Sequence, residues 1–186
     1  MRSRIGQELR KLFTAELARR QPNFTRVERP KPGMDPKWVL KLAPDLSFFI
    51  KLHSLPRHDE FVLEVGWTDE GELGFRDNYK PSVDTKARKW GARLTQLWDN
   101  DGHSEQVWAV VPQLSAEEKS QRIKAINRGE NISLLPADPA IEEVLPRVIT
   151  LVGDAVDKFE QYAIPLFRRV AEERGIGWPG ERESRS

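Results

Sequence analysis

His53, His58 and His103 are the only imidazoles in the chain, and two of them flank a short loop that also carries Asp59 and Glu60. Histidine beside carboxylate is the donor chemistry of zinc, which takes three or four converging ligands and outer-shell support. No helical His pair and no Cys supplies the remainder, so these read as surface or strand-end histidines and no metal site is expected. Asp45 after Pro44, with Glu60 or Glu64 further on, supplies the acids of a metal-dependent nuclease core. That chemistry wants a lysine just past the glutamate to stabilise developing charge, and Glu64 is followed by Val65 and Gly66. Asp45 is better explained as turn chemistry. A metal-dependent hydrolase or nuclease therefore ranks last.

Two other stretches spell motifs without their context. Asp99-Asn100-Asp101-Gly102-His103-Ser104-Glu105 has the letters of a calcium loop but neither its spacing nor its closing bidentate Glu. Gly175-Ile176-Gly177-Trp178-Pro179-Gly180 matches the dinucleotide fingerprint, whose mechanism needs a strand before it and a helix after it. Here it follows a helical pattern, contains Pro179 and leaves six residues beyond it. There is no Gly-x-Ser-x-Gly elbow, no phosphate loop and no cysteine. No catalytic, cofactor-binding or metal-ligating residue is assigned, and the reading leans away from an enzyme.

Charge is the more suggestive signal. The net +1 divides unevenly: residues 1–41 carry eleven Lys or Arg against four acids, a net of +7. Arg10, Lys11, Arg19 and Arg20 could run along phosphates, with Arg26, Arg29 and Lys31 extending the patch. An acidic loop follows later, with Asp69, Glu70, Glu72 and Asp77. Such asymmetry steers a charged partner.

The elements that must hold these groups are marked by periodicity. Ile5, Leu9, Leu12, Phe13 and Leu17 form a helical stripe from Ser3 to Arg20. Phe24 to Glu28 reads as a short strand, and a breaker-rich loop follows it. Trp38, Leu40 and Leu42, then Leu46, Phe48, Ile50 and Leu52, then Phe61, Leu63, Val65 and Trp67 alternate along three strands. Their outward face carries Lys41, Phe49, Lys51, His53, Val62 and Glu64. Parity asks for an odd number of unpaired residues around Ala43-Pro44-Asp45 and an even loop around Pro56-Arg57. It is met by pairing His53 with Glu60, Lys51 with Val62, and Phe49 with Glu64.

Ala87, Trp90, Leu94, Leu97 and Trp98 predict a helix, and Val107 to Val111 a further strand. Ser115 with Glu118 is a capping-box pattern opening a charged helix that stops near Gly129. Asp138-Pro139 predicts an N-cap and first turn. Pro146 kinks the following helix or marks its start, and Pro165 interrupts it again before Leu166. Trp38, Trp67, Trp90 and Trp98 belong to the core, Trp108 could face either way, and Trp178 is expected to be exposed. Together these give an α+β domain over residues 1–174. Its antiparallel meander sheet has four or five strands, one face covered by the N-terminal and C-terminal helices, and residues 175–186 form a disordered tail.

The order of elements resembles a family. An amphipathic helix is followed by Asn23-Phe24 entering a strand, then Leu46-Ser47-Phe48-Phe49-Ile50 and Phe61-Val62-Leu63-Glu64-Val65-Gly66, with a late helix ending Tyr162-Ala163-Ile164-Pro165-Leu166-Phe167. This is similar to the bacterial domain-of-unknown-function family 4304, across roughly residues 5–170. The resemblance implies a cytoplasmic α+β domain and transfers no activity or catalytic residue.

The absence of cysteine fits a reducing cytoplasm, and the chain has no long apolar run that would cross a membrane. The expected function is that of a bacterial-type binding protein recognising a protein partner, of inhibitor, immunity or accessory-subunit type, through the acidic loop. The alternative is nucleic-acid binding through the basic N-terminal region. No cofactor is expected.

Overall fold

The computed structural model describes residues 3–27, 35–55, 60–69, 83–97, 108–111, 115–130 and 140–179. Helix α1 (Ser3–Arg20) leads into strand β1 (Thr25–Arg26), then β2 (Lys37–Ala43), β3 (Leu46–Leu55) and β4 (Glu60–Thr68). After β5 (Lys89–Arg93) comes a 3₁₀ turn, Leu94–Leu97, and then β6 (Trp108–Ala109). Helices α2 (Ala116–Asn127), α3 (Ile141–Lys158) and α4 (Ile164–Glu173) complete the chain. The sheet is antiparallel in the order β1-β2-β3-β4-β5, and β6 pairs with the beginning of β4, beyond the stretch that β5 occupies. This is the α+β meander that the alternation predicts.

Alternation sets one face of β2–β4 against the helices. Leu9, Phe13 and Leu17 of α1 are fully buried with Phe48, Ile50, Leu63, Val65 and Trp67 in one core. Phe13 meets Trp38 at 5.0 Å, and Phe48 stacks on Phe167 of α4 at 4.5 Å. The parity at the first turn is met by a bulge. Lys41 pairs with Ser47 but Ala43 with Leu46, so Leu42 is the extra residue and Pro44-Asp45 forms the turn.

The second hairpin keeps the expected faces with a register moved by two residues. His53 pairs with Val62, Lys51 with Glu64 and Phe49 with Gly66. The two-residue move leaves every apolar side chain on its face but changes every cross-strand partner. It lengthens the connection to four residues, between the Leu55–Glu60 pair.

The helix expected around Trp90 is instead β5. Trp90 stacks on Trp67 at 4.6 Å, directly opposite it in register, and Trp90, Ala92 and Leu94 are all buried. Residues 90, 92 and 94 satisfy period two as well as 90, 94 and 97 satisfy a helical period. The open edge of β4 offers backbone partners that decide for strand. Trp98 lies outside the described residues.

The capping box of α2 is present: Glu118 N–H donates to Ser115 Oγ at 3.1 Å, and Ser115 N–H to Glu118 Oε2 at 2.7 Å. In contrast, α3 starts from Ala140 without a side-chain cap, and Asp138-Pro139 lies outside the described residues. Pro146 is held inside α3. Pro165 does not interrupt the rod. The helix widens to a π turn over Phe159–Ala163, Ile164 N–H reaches back to Phe159 O, and α4 continues in helical conformation. Proline lacks an N–H and its ring crowds the preceding turn; one wider turn accommodates both.

At the end of α4 the expectation of an exposed tail fails as far as Pro179. Gly175 adopts a positive φ of 70° and donates to Glu172 O at 2.9 Å, while Ile176 N–H donates to Ala171 O at 2.9 Å. This Schellman closure turns the chain back, so that Trp178 is only 8 % exposed, 5.8 Å from Phe48. The apparent fingerprint glycine is a helix stop. Residues 180–186 lie outside the described residues.

Candidate functional site

The register of the sheet writes the outward face as rows. One row runs Lys37, Lys51, Glu64, Arg93; the next Val39, Phe49, Gly66, Gly91; the next Lys41, Ser47, Thr68, Lys89. Phe49 and Val62 point outward yet are each 2 % exposed, and neither belongs to the main core. The outward face is therefore not bare. Phe49 lies over Gly66, where a β-carbon would fall 2.6 Å from the ring and would also collide with the Trp90 carbonyl oxygen.

His53 is the centre of the chemistry on this face. Its Nδ1 lies 2.6 Å from Asp35 Oδ2 and its Nε2 lies 2.9 Å from Glu64 Oε1. Lys51 Nζ is 3.5 Å from Glu64 Oε2 and 2.8 Å from His53 Nε2. The hydrogen bond to Asp35, then that to Glu64, raise the His53 pKa to about 9 against partial burial. Lys51 as a donor to Nε2 would require a neutral ring and would set Glu64 Oε1 against a second acceptor. In the imidazolium form both ring N–H groups donate to carboxylates, the Lys51–Nε2 approach is a contact between two cations and no hydrogen bond, and Glu64 beside both supplies their counter-charge. The ring thus has no free nitrogen to take a proton near pH 7, and general-base chemistry is disfavoured. Asp35 and Glu64 approach from opposite nitrogens, so the three cannot converge on one ion. Among the described residues no group of three His, Asp or Glu could hold a metal.

Asp45 is exposed in the β2–β3 turn and Glu60 pairs with Leu55, so neither joins this cluster. His58, Asp59, His103 and the Asp99–Glu105 stretch lie outside the described residues. Of the acidic set, Asp69 takes Arg88 Nε at 2.8 Å and is largely buried, with Oδ1 unpartnered. Glu70, Glu72 and Asp77 lie outside the described residues.

The basic set divides. Arg19 donates to Glu16 at 3.0 Å and 2.5 Å. Arg20 reaches Asp157 at 2.6 Å and also Glu160, which accepts from Gln21 at 2.8 Å. Those carboxylates, Glu160 foremost, raise the Arg20 pKa further above its usual value. Arg20 thus fastens α1 to the α3 rod, whereas Arg19 pairs within α1. Arg10 and Lys11 instead line an open groove of about 470 Å³ with Gln7, Thr14, Ala15, Ala18 and Arg26. Lys11 is loosely paired with Glu8 at 3.6 Å, and among the described residues no ion pair closes on Arg10 or Arg26.

Sequence reasoning missed Asp35, which sits at the end of a Pro- and Gly-rich stretch. It also missed the Lys51–Glu64 pairing, hidden by the two-residue register error. Glu64 beside Lys51 was legible only as two charges on one face.

No family model matches this chain, and neither does any curated protein or solved structure. Among the described residues no helix is long and apolar enough to cross a membrane.

Proposed function

We propose that the chain is a binding protein that recognises another protein, and that the partner presents an acidic segment to the groove between α1 and β1. The observation that carries this reading is the division of the basic patch. Arg19 and Arg20 are engaged by Glu16, Asp157 and Glu160, whereas Arg10, Lys11 and Arg26 stand around a compact groove with alanines among its lining. A nucleic-acid backbone needs a run of cations spaced along phosphates. Glu8 and Glu16 interrupt such a run along α1, and a short acidic peptide needs only the groove. Inhibitor, immunity and accessory-subunit proteins all act by recognition of this kind, and the cysteine-free sequence suits a cytoplasmic setting. The acids of the 69–77 stretch carry less of the proposal, because Asp69 is locked by Arg88.

Fluorescence anisotropy of a labelled Asp/Glu/Ala peptide, beside labelled duplex DNA, single-stranded DNA and RNA, tests this at about 50 mM salt, where phosphate contacts are strong. Peptide binding that falls at least about tenfold in the Arg10→Glu, Arg26→Glu pair supports the groove, that factor being about 1.4 kcal/mol of binding. Nucleic acid binding in place of peptide, with a steep salt slope lost in the same variant, replaces it with the nucleic-acid reading.

A further inference from the structure

Strands β2 and β3 set two lysines against each other on the outward side of the sheet. Lys37 and Lys51 are direct cross-strand partners, and like charges so placed repel. Lys51 has counter-charge, since Glu64 lies 3.5 Å away. Lys37 is half-buried, and its ammonium makes no hydrogen bond or ion pair among the described residues. The nearby acids are already engaged. Asp35 faces His53 Nδ1 at 2.6 Å, and Glu64 is shared between Lys51 and His53 Nε2. Arg93, the neighbour of Glu64 in the same row, adds a further cation. An ammonium taken partly out of water without a counter-charge is unfavourable, and an anion arriving beside it removes that cost.

We propose that Lys37 and Lys51 form a binding site for a small oxyanion, a carboxylate or a phosphate group that bridges the two ammonium groups. Each ammonium has three donors and no acceptor; Lys51 spends part of its capacity on Glu64, and a group with oxygens on two sides suits two lysines that are neighbours in one row of the sheet. Burial first, and Lys51 second, hold the Lys37 pKa below the ordinary lysine value, as a site awaiting negative charge would show. The site lies across the sheet from the α1–β1 groove, because Arg26 pairs with Trp38 on the helix-covered face while Lys37 and Lys51 point away from it. It is therefore independent of the protein-partner reading and stands or falls separately.

The test uses the full chain at constant ionic strength, with chloride as the reference and inorganic phosphate and succinate as the two probes. Lysine side-chain NMR follows Lys37 and Lys51, with Lys41 as the control on the same face, and thermal unfolding is measured in parallel. Saturable shifts at Lys37 and Lys51 but not at Lys41, with a rise in Tm, are expected for at least one probe. The stronger probe distinguishes a phosphoryl ligand from a carboxylate. In Lys37→Gln the affinity should fall about tenfold or more, as for loss of one charge-assisted partner. Without anion this variant should be at least as stable as the wild type, because it removes a repulsion. Linear, unsaturable shifts, an equal response at Lys41, or Lys37→Gln being less stable than the wild type in chloride would each overturn the site.

Discussion

The two faces of the sheet are made by alternate residues of the same three strands, yet they solve opposite problems. The inward face is mainly aromatic and aliphatic, with Phe48, Ile50, Leu63, Val65 and Trp67 fully buried against helices. The outward face mixes buried Phe49 and Val62 with the ionised set Lys37, Lys51, His53 and Glu64. One face is held by area removed from water, which is non-directional and tolerant of approximate register. The other is held by charges whose partners depend on register to the residue. A two-residue move would leave the inner face intact and unmake the outer one. Stability is concentrated on the first face and specific chemistry on the second.

The largest effect that could break this comparison is in the core. Phe48→Ala, which removes a ring stacked on Phe167 and near Trp178, should cost about 3–5 kcal/mol. A denaturation midpoint close to wild type would refute the assignment of stability to the inner face. Gly66→Ala comes next, at about 2–3 kcal/mol, because the new carbon meets the Trp90 backbone as well as the Phe49 ring. Phe49→Ala should lower stability by about 2–3 kcal/mol, less than Phe48→Ala, since it has no part in the main core. Equal losses from both phenylalanines would erase the distinction between the faces.

The smallest effect is electrostatic and depends on pH. The folded-state pKa of His53 is raised to about 9, from 6.5. Its contribution is therefore fully present below about pH 6.5 and is lost as pH rises through 9. Allowing for solvent screening of a side chain 29 % exposed, the difference between wild type and His53→Gln should be on the order of 1–2 kcal/mol at pH 6. It should shrink towards zero by pH 10. A difference that stays constant between pH 6 and pH 10 would show that the ring acts through packing and not through its charge.

What the sequence reveals about the two faces follows the same division. Alternation from Trp38 to Trp67 is enough to assign every β2–β4 residue to its side, because period two is a local property of the chain. The partner opposite Lys51 is not local. It depends on the length of the connection after Leu55, and a two-residue error there put Lys51 beside Val62 instead of Glu64. Asp35 was invisible for a related reason: nothing in a loop of prolines and a glycine says that its last acid will meet a histidine eighteen residues on. The mistaken helix around Trp90 shows a third limit. Two periodicities coincide at residues 90 and 94, and only the unfilled edge of β4 selects between them.

The clasp between Arg20 and Asp157 joins residues 137 positions apart. During synthesis at about 5–20 residues per second, α1 leaves the ribosome on the order of ten seconds before its helical partner exists. In that interval its apolar stripe can rest only on the β2–β4 meander, through contacts such as Phe13 with Trp38. The rod α3–α4 and the turn that buries Trp178 are made after every strand of the sheet, so the last elements synthesised are the ones that complete the cover of the inward face.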